Sequence, residues 1–185
     1  VQDFYVEVHK KGAQDKPLAD VMFYLEDSQG HKLEELITDA SGFAQSKKYP
    51  ILKDGEEYTL REVQAPLGYL LPAEPSQKFT VLRDRSEEVK KYVFNIDNTL
   101  RSFQVSLVKY IQGTEKPLSG AEFALKDPNG NTIEKLTTDQ EGKAISGVHE
   151  LLFPGQAYSI EEIAPPPGFT LSEEYKKTFT PKTEG

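Results

Sequence analysis

Sliding the 185-residue sequence on itself by about 100 residues brings four stretches into register, in the same order along both halves. FYVEVHK at 4–10 faces FQVSLVK at 103–109, and KPLADVMF at 16–23 faces KPLSGAEF at 116–123. TDASGFA at 38–44 faces TDQEGKA at 138–144, and YTLREVQAPLGY at 58–69 faces YSIEEIAPPPGF at 158–169. One fold must therefore be written twice, in modules of about 90 residues, each large enough to bury a core. The boundary falls between Thr99 and Ser102, giving domains 1–99 and 100–185 with almost no spacer. A Gly/Ser-rich linker would swivel freely. This junction predicts two domains arranged head to tail as a stiff rod.

Within each copy, apolar and polar residues alternate over short runs, as in Phe4, Val6, Val8 and again Phe103, Val105, Leu107. A period of two is the pattern of half-buried strands. Between the runs stand DSQG at 27–30, DPNG at 127–130, KDG at 53–55 and PG at 154–155, all suited to tight reversals. TDASGFA reads as one more hairpin. The acidic pair Glu87, Glu88 and the basic pair Lys90, Lys91 read as a solvated loop. The fold class is all-β, a sandwich in each copy.

Continuing the alternation past the core residues puts charges on the buried face. After Phe4, Val6 and Val8 the next inward position is Lys10, and after Phe103, Val105 and Leu107 it is Lys109. Tyr58 and Leu60 lead to Glu62, Tyr158 and Ile160 to Glu162, and Phe94 and Ile96 to Asn98. Buried charges are costly unless paired or neutralised. One reading is a buried Lys-Glu ion pair, or strand ends whose side chains snorkel to water. The other is that Lys, Glu and Asn react. Burial disfavours charge, so the amine becomes a neutral nucleophile, while the acid polarises the carboxamide and passes a proton to departing ammonia. The product is an intramolecular amide.

With the repeat and these polar residues in view, both copies resemble the Cna protein B-type domains of Gram-positive pilins and adhesins. The resemblance is carried by YTLREVQAPLGY at 58–69, by the KPL stretches and by the T-D-x-x-G-x-A stretches. Copy two keeps Glu162, Pro165, Gly168 and Phe169 but has Pro where the family's turn has Ala. The resemblance implies tandem Ig-like, prealbumin-like sandwiches. It also implies an isopeptide bond between a first-strand lysine and a last-strand asparagine, assisted by the glutamate. Carried over by position, that set is Lys10, Asn98 and Glu62 in copy one. In copy two it is Lys109 and Glu162, and the acceptor is missing, because Phe179-Thr180 aligns with Phe79-Thr80 shortly before the sequence stops. A fragment that ends early would explain this, as would a strand supplied by a neighbour.

Other chemistries find little purchase. A net charge of −8 without a Lys/Arg cluster excludes a nucleic-acid partner. Cys is absent, so neither disulfides nor thiolate metal sites brace the fold. No apolar run approaches the roughly 20 residues that span a bilayer, so no membrane contact is expected within this chain. The opening VQDFYVEVHKK lacks a signal-peptide core, so targeting and anchoring segments are expected outside it. His9, His31 and His149 have no ligand spacing, and Asp127-Pro128-Asn129-Gly130-Asn131 lacks the closing Glu of a calcium loop, Thr138 standing there instead. Pro165-Pro166-Pro167 reads as a rigid turn. No metal, no cofactor and no substrate-directed catalytic motif is expected.

The leading functional reading is a stalk or backbone segment of a cell-wall-attached, extracellular pilus or adhesin. Its partners would be other domains or subunits of that surface protein. A domain binding host matrix or host cells, an accessory module of a secreted enzyme, and a transthyretin-like small-ligand carrier are the alternatives.

Overall fold

The computed structural model describes residues 1–183. The chain divides into two units, Val1–Leu100 and Arg101–Gly185. Each is all-β and prealbumin-like, the only helical piece among the described residues being a 3-10 turn at Ala13–Asp15.

The first unit contains β1 (Asp3–Lys11), β2 (Met22–Glu26), β3 (Lys32–Ile37), β4 (Phe43–Gln45), β5 (Tyr49–Pro50), β6 (Glu56–Gln64), β7 (Ser76–Val81) and β8 (Val89–Asp97). One sheet runs in the order β3-β2-β6-β7. The other is centred on β1, with β4 and β5 antiparallel to it and β8 parallel to it. The alternation read from the sequence sets which residues face inward. Phe4, Val6 and Val8 from one sheet meet Phe23, Leu25 and Leu60 from the other, all fully buried. Burying side chains of this size removes on the order of 2 kcal/mol of unfavourable hydration each.

Two local readings are corrected. TDASGFA does not form a hairpin, because β3 and β4 belong to different sheets and the segment carries the chain from one to the other. The corner is held by Thr38, whose hydroxyl accepts from the Val21 amide at 3.0 Å and donates to the Leu18 carbonyl at 2.7 Å. Lys90 and Lys91 lie inside β8 rather than in a loop. Lys90 shares the inward face of Tyr92, Phe94 and Ile96 and pairs with Asp84 at 3.1 Å, so a lysine pair at a strand's start mimics loop composition.

The second unit contains β9 (Ser102–Phe103), β10 (Ser106–Val108), β11 (Glu122–Lys126), β12 (Thr132–Thr137), β13 (Lys143–Ile145), β14 (His149–Glu150), β15 (Tyr158–Ala164) and β16 (Lys176–Phe179). The sheet β12-β11-β15-β16 repeats β3-β2-β6-β7. The first strand is here in two pieces, β9 paired with β14 and β10 with β13. No counterpart of β8 occurs among the described residues. Phe103, Val105 and Leu107 are consequently only partly buried, although they occupy the positions of Phe4, Val6 and Val8.

Candidate cross-linking site

Lys10 is near the end of β1, and its main chain is pinned on both sides. Its amide donates to the Gly42 carbonyl at 2.7 Å, and its carbonyl accepts from the Leu18 amide at 3.0 Å. Gly42 has φ +74°, and a Cβ there would run into the Lys10 carbonyl, so this corner admits only glycine without a backbone shift. Glu62 comes from β6, opposite Phe23 on β2. The pairing jumps from Met22↔Gln64 to Phe23↔Glu62, leaving Val63 as the extra residue of a bulge. The bulge comes after Glu62, which the unbroken alternation of Tyr58, Leu60 and Glu62 carries between the sheets. Asn98 follows β8 directly, tied by its amide to the Lys11 carbonyl at 2.9 Å.

Three polar side chains from three strands thus converge in the core, with Lys10 1%, Glu62 2% and Asn98 6% exposed. They form a closed triangle. Lys10 Nζ donates to Glu62 Oε2 at 2.9 Å and, in a short contact, to Asn98 Oδ1. Asn98 Nδ2 donates to Glu62 Oε1 at 2.6 Å. The Phe23 ring closes one side, its centroid 5.9 Å from Nζ. Burial pulls the Lys10 amine below its ordinary value, while hydrogen bonding and charge from Glu62, then the charge of Asp97, act against that shift.

The arrangement suits amide exchange. Each oxygen of one carboxylate contacts one of the two nitrogens that change bonding, so a proton taken from Nζ at Oε2 can be returned to Nδ2 from Oε1. This differs from the sequence expectation in one respect. The acid contacts the amide nitrogen, the leaving group, and not the carbonyl oxygen, which faces Nζ instead.

Copy two brings together two of its expected residues. Lys109 Nζ stands 3.3 Å from Glu162 Oε2, with the Glu162 side chain 2% exposed and that of Lys109 23%. The same corner holds the lysine, Lys109 donating to Gly142 at 2.7 Å. No asparagine completes this set among the described residues. Elsewhere, His9 lies beside Glu7 and Phe43, and Asp127 Oδ1 caps its own turn through the amides of Asn129 and Asn131.

Sequence reasoning missed the supporting residues. Gly42 and Phe23 belong to the matched landmarks, but nothing in a one-dimensional pattern says that they adjoin Lys10. Tyr69 was legible only as part of a turn. Its ring occupies the space where a Cβ on Gly12 would fall, and it bridges to Leu100 just beyond the last strand.

The model of the SpaA prealbumin-like fold domain matches residues 4–96 and again residues 103–185. The chain belongs to this family. Two SpaA-type, Cna B-type domains therefore stand in tandem. Serine-aspartate repeat-containing protein F of Staphylococcus epidermidis is 33% identical over 158 residues, which take in 74% of this chain and 9% of that protein. The collagen adhesin of Staphylococcus aureus is 29% identical over 181 residues, 87% of this chain and 15% of the adhesin. The chain thus spans a small part of either relative. Among solved structures, the Bacillus anthracis TIE protein superposes on the whole chain with a TM-score of 0.80 and 23% identity, across 32% of its own length. That likeness is one of fold.

Proposed function

We infer that this chain is a load-bearing segment of a Gram-positive surface protein, a stalk or shaft piece whose first domain ties itself with a Lys10–Asn98 isopeptide bond. The observation that carries the reading is the buried triangle of Lys10, Glu62 and Asn98, which joins the first strand to the last. A structural ion pair would need only the lysine and the glutamate. A carboxamide held against both, in a site closed to water, is what amide exchange requires.

In the proposed step the neutral Nζ attacks Asn98 Cγ, a new C–N bond forms, and the bond to Nδ2 breaks. The proton leaving Nζ passes through Glu62 to Nδ2, which departs as ammonia, and the carboxylate is regenerated. Nothing external is consumed. This is chemistry on the protein itself, with no turnover of a substrate.

Intact mass spectrometry tests it. The purified chain is expected to weigh one ammonia less than its sequence, and Glu62→Gln to weigh its full sequence mass. A parent at full mass, or a mass deficit that survives Glu62→Gln, overturns the reading. The partners of such a segment are the neighbouring domains of a longer extracellular protein. The likeness to a collagen adhesin favours a matrix-binding role as the second reading. Binding of the isolated chain to immobilised collagen would support it, and its absence would leave only the stalk role.

A further inference from the structure

The corner of the second unit between the turn at 127–131 and β14 departs from its counterpart in the first. A cavity of about 300 Å³ opens there, lined in part by Val148, Leu152, Phe153 and Tyr158. Its polar lining is Asp127, His149 and Glu150, and no lysine or arginine among the described residues lines it. Two of these polar groups are engaged already: His149 Nε2 stands 3.5 Å from Glu134 Oε2, and Asp127 Oδ1 accepts from the amides of Asn129 and Asn131. No ion pair engages Glu150 among the described residues. The cavity adjoins β14, on the edge of the first strand opposite to the one that β8 covers in copy one.

The repeat supplies its own comparison. Lys48 stands at the position of Val148, Lys53 at that of Phe153 and Pro50 at that of Glu150. Arg83 brings a further cation to this corner of copy one, donating to the carbonyls of Ile51 and Leu52 at 3.0 and 2.9 Å, and Thr183 stands at its position in copy two. Copy two has thus exchanged basic side chains for apolar ones here and gained a carboxylate.

What remains is chemistry suited to a cation from outside. The rings of Phe153 and Tyr158 have their centroids 6.4 Å apart, beside the Glu150 carboxylate. Aromatic faces attract cations, and a guanidinium, flat and weakly hydrated, leaves water for such a surface more readily than an ammonium. Val148 and Leu152 line the cavity yet are 69% and 49% exposed. A free guanidinium compound leaves that apolar rim wet, whereas a polypeptide covers it.

We propose that this cavity is a docking site for an arginine of a partner polypeptide, its guanidinium held by Phe153, Tyr158 and Glu150 while apolar residues flanking the arginine cover Val148 and Leu152. The site is separate from the Lys10–Asn98 chemistry and adds a binding role to the second unit.

Nitrogen-15 NMR titration of the full chain with the peptide acetyl-Val-Arg-Val-amide tests it. Saturable shifts are expected at the amides of residues 148–153. The same peptide with citrulline, which keeps the shape and loses the charge, is expected to bind about fivefold more weakly, and so is the arginine peptide to Glu150→Gln. Val148→Lys, which puts the copy-one residue at an exposed position, is expected to weaken it by a similar factor. Argininamide, which lacks the apolar flanks, is expected to bind about fivefold more weakly than the peptide. Equal affinity for argininamide would make this a site for free guanidinium compounds and overturn the polypeptide partner. No saturable shift at 148–153, equal binding of the citrulline peptide, or binding indifferent to Glu150→Gln overturns the proposal outright. Each of these results leaves the mass test of the cross-link untouched.

Discussion

An amine sealed from water is an unfavourable place for charge, and Lys10 expresses this as a lowered affinity for protons, with burial as the largest cause. The sign of the consequence follows from linkage. Without the proposed bond, the folded chain binds fewer protons at this site than the unfolded chain, whose lysine titrates near 10.5. Stability of the unlinked protein therefore rises with pH through the window between the lowered folded value and 10.5. An amide nitrogen does not titrate there. Denaturant melts of unlinked Glu62→Gln at pH about 8 and about 10 are expected to show a gain on going alkaline that the linked parent lacks. Equal pH dependence in the two proteins would mean that Lys10 is not titrating in the core. For the same reason, refolding parent chain that has not yet reacted should lose ammonia faster as pH rises over this range.

At the scale of elements, the corner through Gly42 determines where Lys10 sits. Gly42→Ala forces a side chain into left-handed backbone and against the Lys10 carbonyl, a cost of about 1–3 kcal/mol. Because the same peptide receives the Lys10 amide, the variant is expected both to melt earlier and to link more slowly. Gly55→Ala, with φ +78° but open space around it, supplies the comparison: strain without displacement of the lysine. Identical linking rates in the two variants would show that the corner does not position the nucleophile. Much of this geometry was legible in the sequence. Strand parity alone placed Lys10, Glu62 and Asn98 inward, since a period of two leaves no other face once Phe4, Leu60 and Ile96 are core. Parity is silent on direction and on sheet membership. It could not reveal that β1 and β8 run parallel, that residues 38–44 change sheets, or which end of the Asn98 carboxamide meets Glu62. The polar start of β8 hid a strand for a related reason, Lys90 standing at the inward position where an apolar residue would have marked the strand and pairing there with Asp84.

For the whole molecule, the two units differ in how they are closed. Linking residue 10 to residue 98 shortens the unfolded loop by an amount worth on the order of 4 to 5 kcal/mol if the disulfide entropy treatment transfers. Spread over a domain of this size, that raises the melting temperature by roughly 15–30 °C. Calorimetry of the parent is expected to resolve two transitions, the lower from the second unit, whose first-strand residues Phe103, Val105 and Leu107 are only partly buried. Glu62→Gln should move the upper transition down by that amount and leave the lower one in place. A variant that fails to link yet melts like the parent would show that the bond contributes nothing to stability. The parallel pairing of β1 with β8 has a further consequence. It sets Lys10 and Asn98 at the same end of adjacent strands, so with the proposed bond in place tension entering at Val1 would cross the amide and leave at Thr99 without passing through residues 11–97. Those residues, with every loop of the first unit that faces outward between them, are mechanically silent. Apart from Gly42, Glu62 and the core that seats Lys10, they are free to diversify under pressure from antibodies or proteases without weakening the line that bears the pull.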